Sequence, residues 1–389
     1  MWERTGGNAG MVDALVAAWN AKNADCKIKL TYIEHSEMVA NIARGIASGE
    51  VPDLMGMDLI YAPQFEKAGQ LVDVTAQIAE VPQYKTASPG HVTVATWEGK
   101  TYGVPLYADV SALFYNKDLF TKAGLDPEKP PTSLKQLGEY ADKITALGGG
   151  VTGYYLAGNC AGCNIFTVGP LLWASDVKIE SAKPGDEPLT GDNLKPVLTF
   201  LREQVKKGNV PSSARAETGN TFAEQFGSGK IGMMGTGNFN ITLAREQNPN
   251  MKFGIAPLPG LAEGSSASFI GGDLVVIPKG SKRVDDAVNF MKFLLTDEVQ
   301  VEVYAKALNL TTRSDMTENK YFKAEPLVQD VSKALEIGQT PYTTTFFEQI
   351  NSPQGPWLQM LQKVYYSDDD LDKVIADAKK KMLAISAKG

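Results

Sequence analysis

The sequence predicts an α/β fold with more than one domain, and three observations support this prediction. Helical and extended patterns alternate along the first third of the chain, which is typical of a parallel sheet with connecting helices. The chain has 389 residues, more than one hydrophobic core usually serves, so two domains are expected. Its hydrophobic fraction of 43% and charged fraction of 21% are those of an ordinary globular protein, so the whole chain should fold.

The elements of the first domain follow from the spacing of apolar residues. Apolar side chains recur at helical spacing over residues 11–19, and residues 28–32 then alternate as in a strand. A second amphipathic helix over 38–46 ends at Gly49, and residues 52–58 form a buried strand that runs into a loop. Because open α/β sheets bind ligands beyond the carboxyl ends of their strands, polar residues at these ends are candidates for a binding site.

The extended residues 102–116 are predicted to leave the first sheet near residue 110 and to enter a second domain. Helices over 134–144 and 197–205 belong to this second domain, and each ends at glycine. A short apolar strand at 271–277, with the helix after it, returns the chain to the first domain. The predicted N-terminal lobe comprises residues 1–109 and 274–312, and the predicted C-terminal lobe comprises residues 110–273 and 313–389.

Composition and motifs argue against several functional classes. The net charge is −7, and no run of basic residues could neutralise a phosphate backbone, so no nucleic acid partner is expected. His35 and His91 lack a ligand partner at helical spacing, and Cys160 and Cys163 lack the second pair that a zinc site needs. The glycines at 148–150 do not fit the phosphate-loop pattern. We predict neither a metal nor a cofactor.

The start of the chain leaves its cellular location open at this point. No apolar stretch approaches the roughly 18 residues that span a bilayer. The first residues show neither the basic nor the apolar segment of an export signal, so the chain is either cytosolic or a mature form whose signal has been replaced by a start Met. The spacing of Cys160 and Cys163 allows a local disulfide.

Four segments in register carry a family resemblance. They are SGEVPDL at 48–54, YGVP at 102–105 with YNKDLF at 115–120, GKIGMMGTGNF at 229–239, and the glycine pair at 271–272. With these segments the chain resembles the extracellular solute-binding proteins of ABC importers, in the carbohydrate branch that includes maltose-binding protein (family 1). The third segment departs from the family pattern, because Phe239 stands where the family has Trp.

The resemblance implies a periplasmic-binding-protein type II fold, with two α/β lobes, a hinge and an interlobe ligand cleft. It implies a monomeric, exported periplasmic protein, here without its signal peptide, that captures a carbohydrate. Hinge closure would present that ligand to the membrane permease subunits of the importer. No chemistry is performed in such a role, so no enzyme activity is expected. Export also favours a disulfide between Cys160 and Cys163 and leaves Cys26 unpaired.

The predicted ligand contacts combine the two kinds of group that a sugar site needs. Aromatic faces stack on the C–H surfaces of sugar rings, and planar polar groups exchange hydrogen bonds with hydroxyls. Structural alternatives are a helix N-cap for Asp58, a turn for His35 and Ser36, and core packing for Trp173. The predicted contacts are Arg4, Thr5, His35, Ser36, Asp58, Tyr107, Asp109, Trp173, Asn238, Gly271, Gly272, Asp273, Phe347 and Glu348.

Three alternatives stay open at the level of sequence. A polyamine ligand would need acidic and aromatic residues around it, and an anionic sugar derivative would need Arg4 or Arg313 to recognise its charge. Asp58 and Asp109 could also act as the paired acids of a glycoside hydrolase, although no motif supports this role. In a hydrolase, Asp58→Asn should abolish turnover and leave binding, whereas in a carrier it should weaken binding alone.

Overall fold

The computed structural model describes residues 1–5, 8–34, 37–183 and 185–388. These residues form two compact units. Unit 1 comprises Met1–Asp109 and Ile270–Glu336, and unit 2 comprises Val110–Phe269 and Ile337–Gly389. Both units combine helices with strands, so the α/β class predicted from the sequence is confirmed.

Most of the strands are short. They are β1 (Trp2–Arg4), β2 (Thr31–Ile33), β3 (Met55–Asp58), β4 (Thr96–Trp97), β5 (Lys100–Thr101), β6 (Gly103–Asn116), β7 (Thr152–Tyr155), β8 (Ile231–Gly237), β9 (Phe253–Ala256), β10 (Leu258–Pro259), β11 (Ser266–Val276) and β12 (Gly338–Gln339).

Helices, like strands, occur in both units. They are α1 (Ala9–Lys22), α2 (Met38–Ser48), α3 (Ala62–Lys67), α4 (Thr75–Ala79), α5 (Pro89–Val94), α6 (Lys117–Lys122), α7 (Leu134–Thr145), α8 (Ala161–Thr167), α9 (Gly169–Trp173), α10 (Leu194–Lys206), α11 (Asn240–Gln247), α12 (Val284–Leu294), α13 (Asp297–Val299), α14 (Lys320–Lys323), α15 (Pro326–Ser332), α16 (Pro356–Tyr366) and α17 (Leu371–Ser386).

The sheet of unit 1 begins with the strand order β2-β1-β3-β11. Strand β1 is parallel to β2, with Arg4 opposite Ile33, and parallel to β3. Strand β11 is antiparallel to β3 and places Asp273 opposite Asp58. The parallel alternation read from the sequence therefore describes the first three strands, whereas β11 makes the sheet mixed.

The helices of unit 1 pack through the apolar faces that the sequence pattern predicts. Trp19 of α1 makes an edge-to-face contact with Phe290 of α12, with ring centroids 5.5 Å apart. Both rings belong to one core with Leu106 of β6 and Val275 of β11. Helix α2 stops at the predicted Gly49, whose φ of 75° is left-handed and is adopted readily only by glycine.

In unit 2 the paired strands continue in the order β6-β8-β7. Strand β6 is antiparallel to β8 and β9, and β7 is parallel to β8. Helices α7, α10, α16 and α17 pack in this unit. The ring of Phe114 on β6 stacks with that of Phe253 on β9 at a centroid distance of 5.9 Å, and both rings contact Phe226.

The unit boundaries differ from the predicted lobe boundaries in the second half of the chain. The predicted return to the first lobe at 274 lies at 270 in the structure, because Asp273 already pairs with β3 of unit 1. The predicted exit at 312 lies at 336. The reason is side-chain packing: Arg313 donates to the carbonyl of Leu295 at 2.8 Å, and Lys320 lies 2.7 Å from Glu302.

Candidate functional site

Several predicted contact residues of unit 1 meet where its strands end. Arg4 Nε donates to both carboxylate oxygens of Asp273, at 3.0 and 2.9 Å. Arg4 Nη2 donates to the hydroxyl of Tyr107 at 2.9 Å, and Arg4 Nη1 lies 3.5 Å from Oδ2 of Asp58. Asp109 interacts electrostatically with Arg4, Asp58 and Asp273. We call Arg4, Asp58, Tyr107, Asp109 and Asp273 the carboxylate site.

Asp273 has a structural role within this site. Its side chain is 0% exposed, and both carboxylate oxygens accept hydrogen bonds from Arg4. A buried charge requires a partner of opposite charge, and this two-pronged geometry is the strong form of such a pair. The buried, paired carboxylate favours a structural role, and contact between Asp273 and a ligand stays a prediction.

Asp58 ends β3 and keeps part of its carboxylate at the surface. Its Oδ1 accepts a hydrogen bond from the backbone of Ile60 at 3.3 Å, which caps the short 3₁₀ turn Leu59–Tyr61. The capping alternative considered for this residue is thus present in the structure. The Asp58 side chain is nevertheless 19% exposed, so capping leaves room for a ligand hydroxyl.

Asp109 is the carboxylate of the site with the fewest contacts. It is half-buried, and it forms no hydrogen bond with any other residue in the described part of the chain. Burial, with the negative charges of Asp58 and Asp273 added, raises the pKa of Asp109 to about 7, although Arg4 opposes the shift. The carboxylate of Asp109 can therefore accept a hydrogen bond from a ligand.

Two buried groups next to the site were missed by the sequence reasoning. Glu3 on β1 is 0% exposed, and neither carboxyl oxygen has a hydrogen-bond partner among the described residues. Burial and the charge of Asp273 raise the pKa of Glu3 to about 9. The ring of His91 lies 3.0 Å from the carbonyl of Tyr107, and burial lowers the pKa of His91 to about 4. Both groups are therefore neutral at pH 7.

At neutral pH the carboxylate site holds more negative than positive charge. Asp58 and Asp273 carry two negative charges against the single positive charge of Arg4, and Asp109 adds a third when it ionises. Carboxylates accept hydrogen bonds and cannot donate them. The arrangement suits hydroxyl or ammonium groups of a ligand.

Gly271 and Gly272 serve the packing of β11 against the middle of β6. A Cβ atom on Gly271 would lie 2.2 Å from Oδ1 of Asp109, and one on Gly272 would lie 2.1 Å from the carbonyl oxygen of Tyr107. Gly272 also has a φ of 114°, which disfavours any side chain. These glycines bring main chain close to Asp109, and their contact with a ligand stays a prediction.

Thr5, His35 and Ser36 complete the predicted contacts of unit 1. The backbone of Thr5 donates to the carbonyl of Ile33 at 2.8 Å, which extends the pairing of β1 with β2. His35 and Ser36 lie outside the described residues, so their role stays a prediction.

Arg313 does not act as an anion receptor in this structure. The residue is 3% exposed. Its Nη1 donates to the carbonyl of Leu295 at 2.8 Å and to Asp297 at 2.5 Å, and its Nη2 donates to Asp315 at 2.6 Å. The geometry does not support recognition of an acidic ligand by Arg313, because its guanidinium is already hydrogen-bonded to groups within unit 1.

Unit 2 presents an aromatic surface made of Phe166, Trp173, Phe239 and Phe269. Phe166 stacks on Phe239 at 6.3 Å with an interplanar angle of 19°, and Trp173 stacks on Phe269 at 5.9 Å with an angle of 24°. Phe166 and Phe269 join the two pairs at 5.3 Å. Phe239 is 46% exposed, so core packing does not account for it.

The sequence reasoning found half of this aromatic surface. It named Trp173 as a contact and Phe239 as a departure from the family pattern, but it missed Phe166 and Phe269. Phe166 lies on α8 and Phe269 on β11, so the stacking arises between elements that are distant in the chain. No local spacing could have revealed it.

The remaining predicted contacts of unit 2 are Asn238, Phe347 and Glu348. Asn238 holds β6, because its Oδ1 accepts from Val110 N at 2.9 Å while its backbone donates to Val110 O at 3.1 Å. Phe347 and Glu348 are exposed on the turn Phe347–Asn351, and Phe347 is 44% exposed. Ligand contact by these three residues stays a prediction.

The cysteines are arranged as the family resemblance implied. Cys160 and Cys163 form a disulfide, and Cys26 is a free thiol. Cys160 Sγ also accepts from the backbone of Cys163 at 3.0 Å, which caps α8, the helix that carries Phe166. The disulfide therefore supports the start of an element of the aromatic surface.

Metal binding and membrane crossing find no support in the part of the chain that the structure describes. Within it, no group of three or more His, Cys, Asp or Glu side chains could hold a metal ion. Over the same ranges, no helix combines the length and apolar character that a bilayer crossing requires.

The chain matches a described protein family over most of its length. The family described as bacterial extracellular solute-binding protein matches residues 14–330. A protein of Escherichia coli named sn-glycerol-3-phosphate-binding periplasmic protein is 26% identical over 383 residues, covering 88% of this chain and 81% of that protein.

Solved structures show the same fold. The cyclic α-maltosyl-1,6-maltose binding protein of Arthrobacter globiformis superposes with a TM-score of 0.85 at 23% identity, over 100% of this chain and 98% of that one. The sugar-binding protein MalE of Xanthomonas citri superposes with a TM-score of 0.86 at 20% identity, over 100% and 97% of the two chains. These matches confirm the predicted type II periplasmic-binding-protein fold.

Proposed function

The chain belongs to the family of bacterial extracellular solute-binding proteins, and from this premise we propose that it captures a carbohydrate in the periplasm for an ABC importer. Two proteins of the same fold are named for sugar ligands. The protein would act as a monomer and deliver its ligand to the permease subunits. The family and these neighbours are transport proteins, so we propose binding without catalysis.

The observation that carries this proposal is the pair of accessible carboxylates, Asp58 and Asp109. Asp109 has no hydrogen-bond partner among the described residues, and Asp58 keeps part of its carboxylate exposed. Vicinal sugar hydroxyls supply donors in pairs, and hydrogen bonds to a charged acceptor are worth about 1.5–3 kcal/mol each. Such acceptors give a polyhydroxy ligand both affinity and orientation.

The aromatic surface of unit 2 supplies the second kind of sugar contact. Phe239 and Trp173 each expose part of a ring that is already held by a neighbouring ring. Rings held in place lose little entropy on binding, and their faces suit the C–H surfaces of a pyranose. We propose both rings as ligand contacts.

The experiment that tests the proposal is ligand binding by thermal shift and calorimetry. Ligand-stripped protein would be screened against monosaccharides, oligosaccharides, polyols, sugar acids and polyamines. A ligand at one hundred times its Kd stabilises a folded protein by about 2.7 kcal/mol, which such a screen detects easily. A sugar that binds without turnover supports the proposal.

Other outcomes of the same screen would overturn the proposal. A polyamine as the only ligand would retain the binding role and reject the carbohydrate class. Release of a hydrolysis product would favour a glycoside hydrolase that uses Asp58 and Asp109, and Asp58→Asn would then abolish turnover while leaving binding intact.

A further inference from the structure

We infer that the carboxylate site selects its ligand by charge, favouring a sugar with a protonated amine over its neutral counterpart and rejecting an anionic one. This inference rests on the proposed function, because it assigns the charge of the solute that is captured at that same site. Its basis is the pairing of the arginines with carboxylates, the contacts of Asp109 and the neutrality of the buried groups around them.

The two arginines that could have bound an anion are already paired with carboxylates. Arg4 holds both carboxylate oxygens of the fully buried Asp273, and it also lies 3.5 Å from Asp58. Arg313 is enclosed by Asp297, Asp315 and the carbonyl of Leu295. A phosphate or carboxylate on a ligand needs guanidinium N–H groups directed at it, and redirecting Arg4 would leave Asp273 buried without a counterion.

The accessible charge of the carboxylate site is negative. Asp109 has no hydrogen-bond partner in the described part of the chain, and it feels the negative charges of Asp58 and Asp273. Its Oδ1 lies beside Gly271, where the missing Cβ leaves the carboxylate in contact with bare main chain. An anion placed here would meet like charge.

An ammonium group suits these carboxylates better than a hydroxyl does. A hydroxyl gives one hydrogen bond and leaves the repulsion among the carboxylates unchanged. An ammonium group offers three donors and also cancels one negative charge, so it can satisfy Asp109 and Asp58 together. The neutral, buried Glu3 and His91 contribute no positive charge that would oppose it.

The test is calorimetry on the intact protein at pH 7 with sugars that differ mainly in charge. The probes are glucose, glucosamine and glucuronate, then cellobiose against the chitosan disaccharide, and finally sn-glycerol 3-phosphate. We expect at least one amine to bind at least tenfold more tightly than its neutral counterpart, and the anions to bind most weakly. The amine preference should shrink as salt rises from 20 to 500 mM, because screening weakens the attraction between charges.

Asp109→Asn is the variant that links this preference to one residue. We expect the affinity ratio of amine to neutral sugar to fall below threefold in Asp109→Asn. The matched control is Glu80→Gln, which removes an exposed carboxylate of the same unit and should keep the wild-type ratio. Thermal unfolding checks that both variants fold, and the salt dependence of the wild type tests the inference without any variant.

The possible failures are distinguishable. Neutral sugars that bind as tightly as amines, or anions that bind most tightly, would overturn the charge inference and leave the carbohydrate proposal standing. An amine preference that persists in Asp109→Asn would overturn the assignment to this site. If none of these probes binds and the wider screen finds no sugar, the inference and the proposed function fail together.

Discussion

The carboxylate site of unit 1 and the aromatic surface of unit 2 are built on opposite principles. In unit 1, charged groups at strand ends hold one another, so each carboxylate depends on Arg4 and on the burial around it. In unit 2, two stacked pairs of uncharged rings are joined by a tilted contact between Phe166 and Phe269. Coupled charges respond to substitution as a network, whereas apolar surface responds in proportion to the area lost.

The largest expected effect is on the charge network, through Arg4→Met. Removing the guanidinium leaves Asp273 buried without a counterion, which costs about 3–5 kcal/mol of folding stability. Chemical denaturation measures this loss. The matched control is Lys22→Met, which breaks the exposed pair with Glu298 and should cost less than about 1 kcal/mol. Equal losses in the two variants would show that the network is not coupled.

The next largest effect is on ligand binding through Asp58→Asn. The variant keeps the shape of the side chain but loses the charge that strengthens a hydrogen bond to a sugar hydroxyl. We expect an affinity loss of about 100-fold, which corresponds to about 2.7 kcal/mol, measured by calorimetry with the best sugar of the screen. An unchanged Kd would remove Asp58 from the ligand site and leave it as the cap of its turn.

Glu3→Gln should stabilise the protein in a pH-dependent way. Folding raises the pKa of Glu3 from 4.5 to about 9. The ionised carboxylate of Glu3 is therefore less stable in the folded protein than in the unfolded chain. The contribution of Glu3 to stability is therefore greatest below pH 4.5 and is lost progressively as pH rises to about 9. Glutamine cannot ionise, so the variant should already exceed the wild type by about 2 kcal/mol at pH 6 and should match it near pH 4.

Denaturation curves across this pH range measure the difference between Glu3→Gln and the wild type. Glu80→Gln again serves as the control, because Glu80 is exposed and should show no such trend. A constant difference at every pH would contradict the assignment of a neutral Glu3 beside Asp273.

The smallest expected effect belongs to the aromatic surface, through Phe239→Ala. Because Phe239 is 46% exposed and stacks on Phe166, its removal should weaken sugar binding about tenfold with little loss of stability. Leu147→Ala removes another exposed apolar side chain of unit 2 and should leave binding unchanged. If both variants bind the sugar equally well, Phe239 does not contribute to ligand binding.

Features that depend on neighbours along the chain could be predicted from the sequence. The end of α2 at Gly49 and the position of Asp58 at the end of β3 both follow from local patterns. Family motifs identified the fold, which the structural matches confirm. The roles of Asp273 and Arg313 were not accessible, because each depends on a partner brought in by the fold: Arg4 is 269 residues away from Asp273, and Leu295 is 18 residues away from Arg313.

By itself the sequence determined the α/β class, the family, the strand end that carries Asp58 and the extended segment that carries Asp109, because helix and strand periods and turn residues act over a few positions. Only the tertiary structure decided which charged groups are paired within the protein and which remain able to bind a ligand. Burial and pairing are set by residues that meet across the fold, as Arg4 meets Asp273 and as Phe166 meets Phe269. The state of Asp109 could emerge only there, because desolvation and neighbouring charge exist only once the chain has folded.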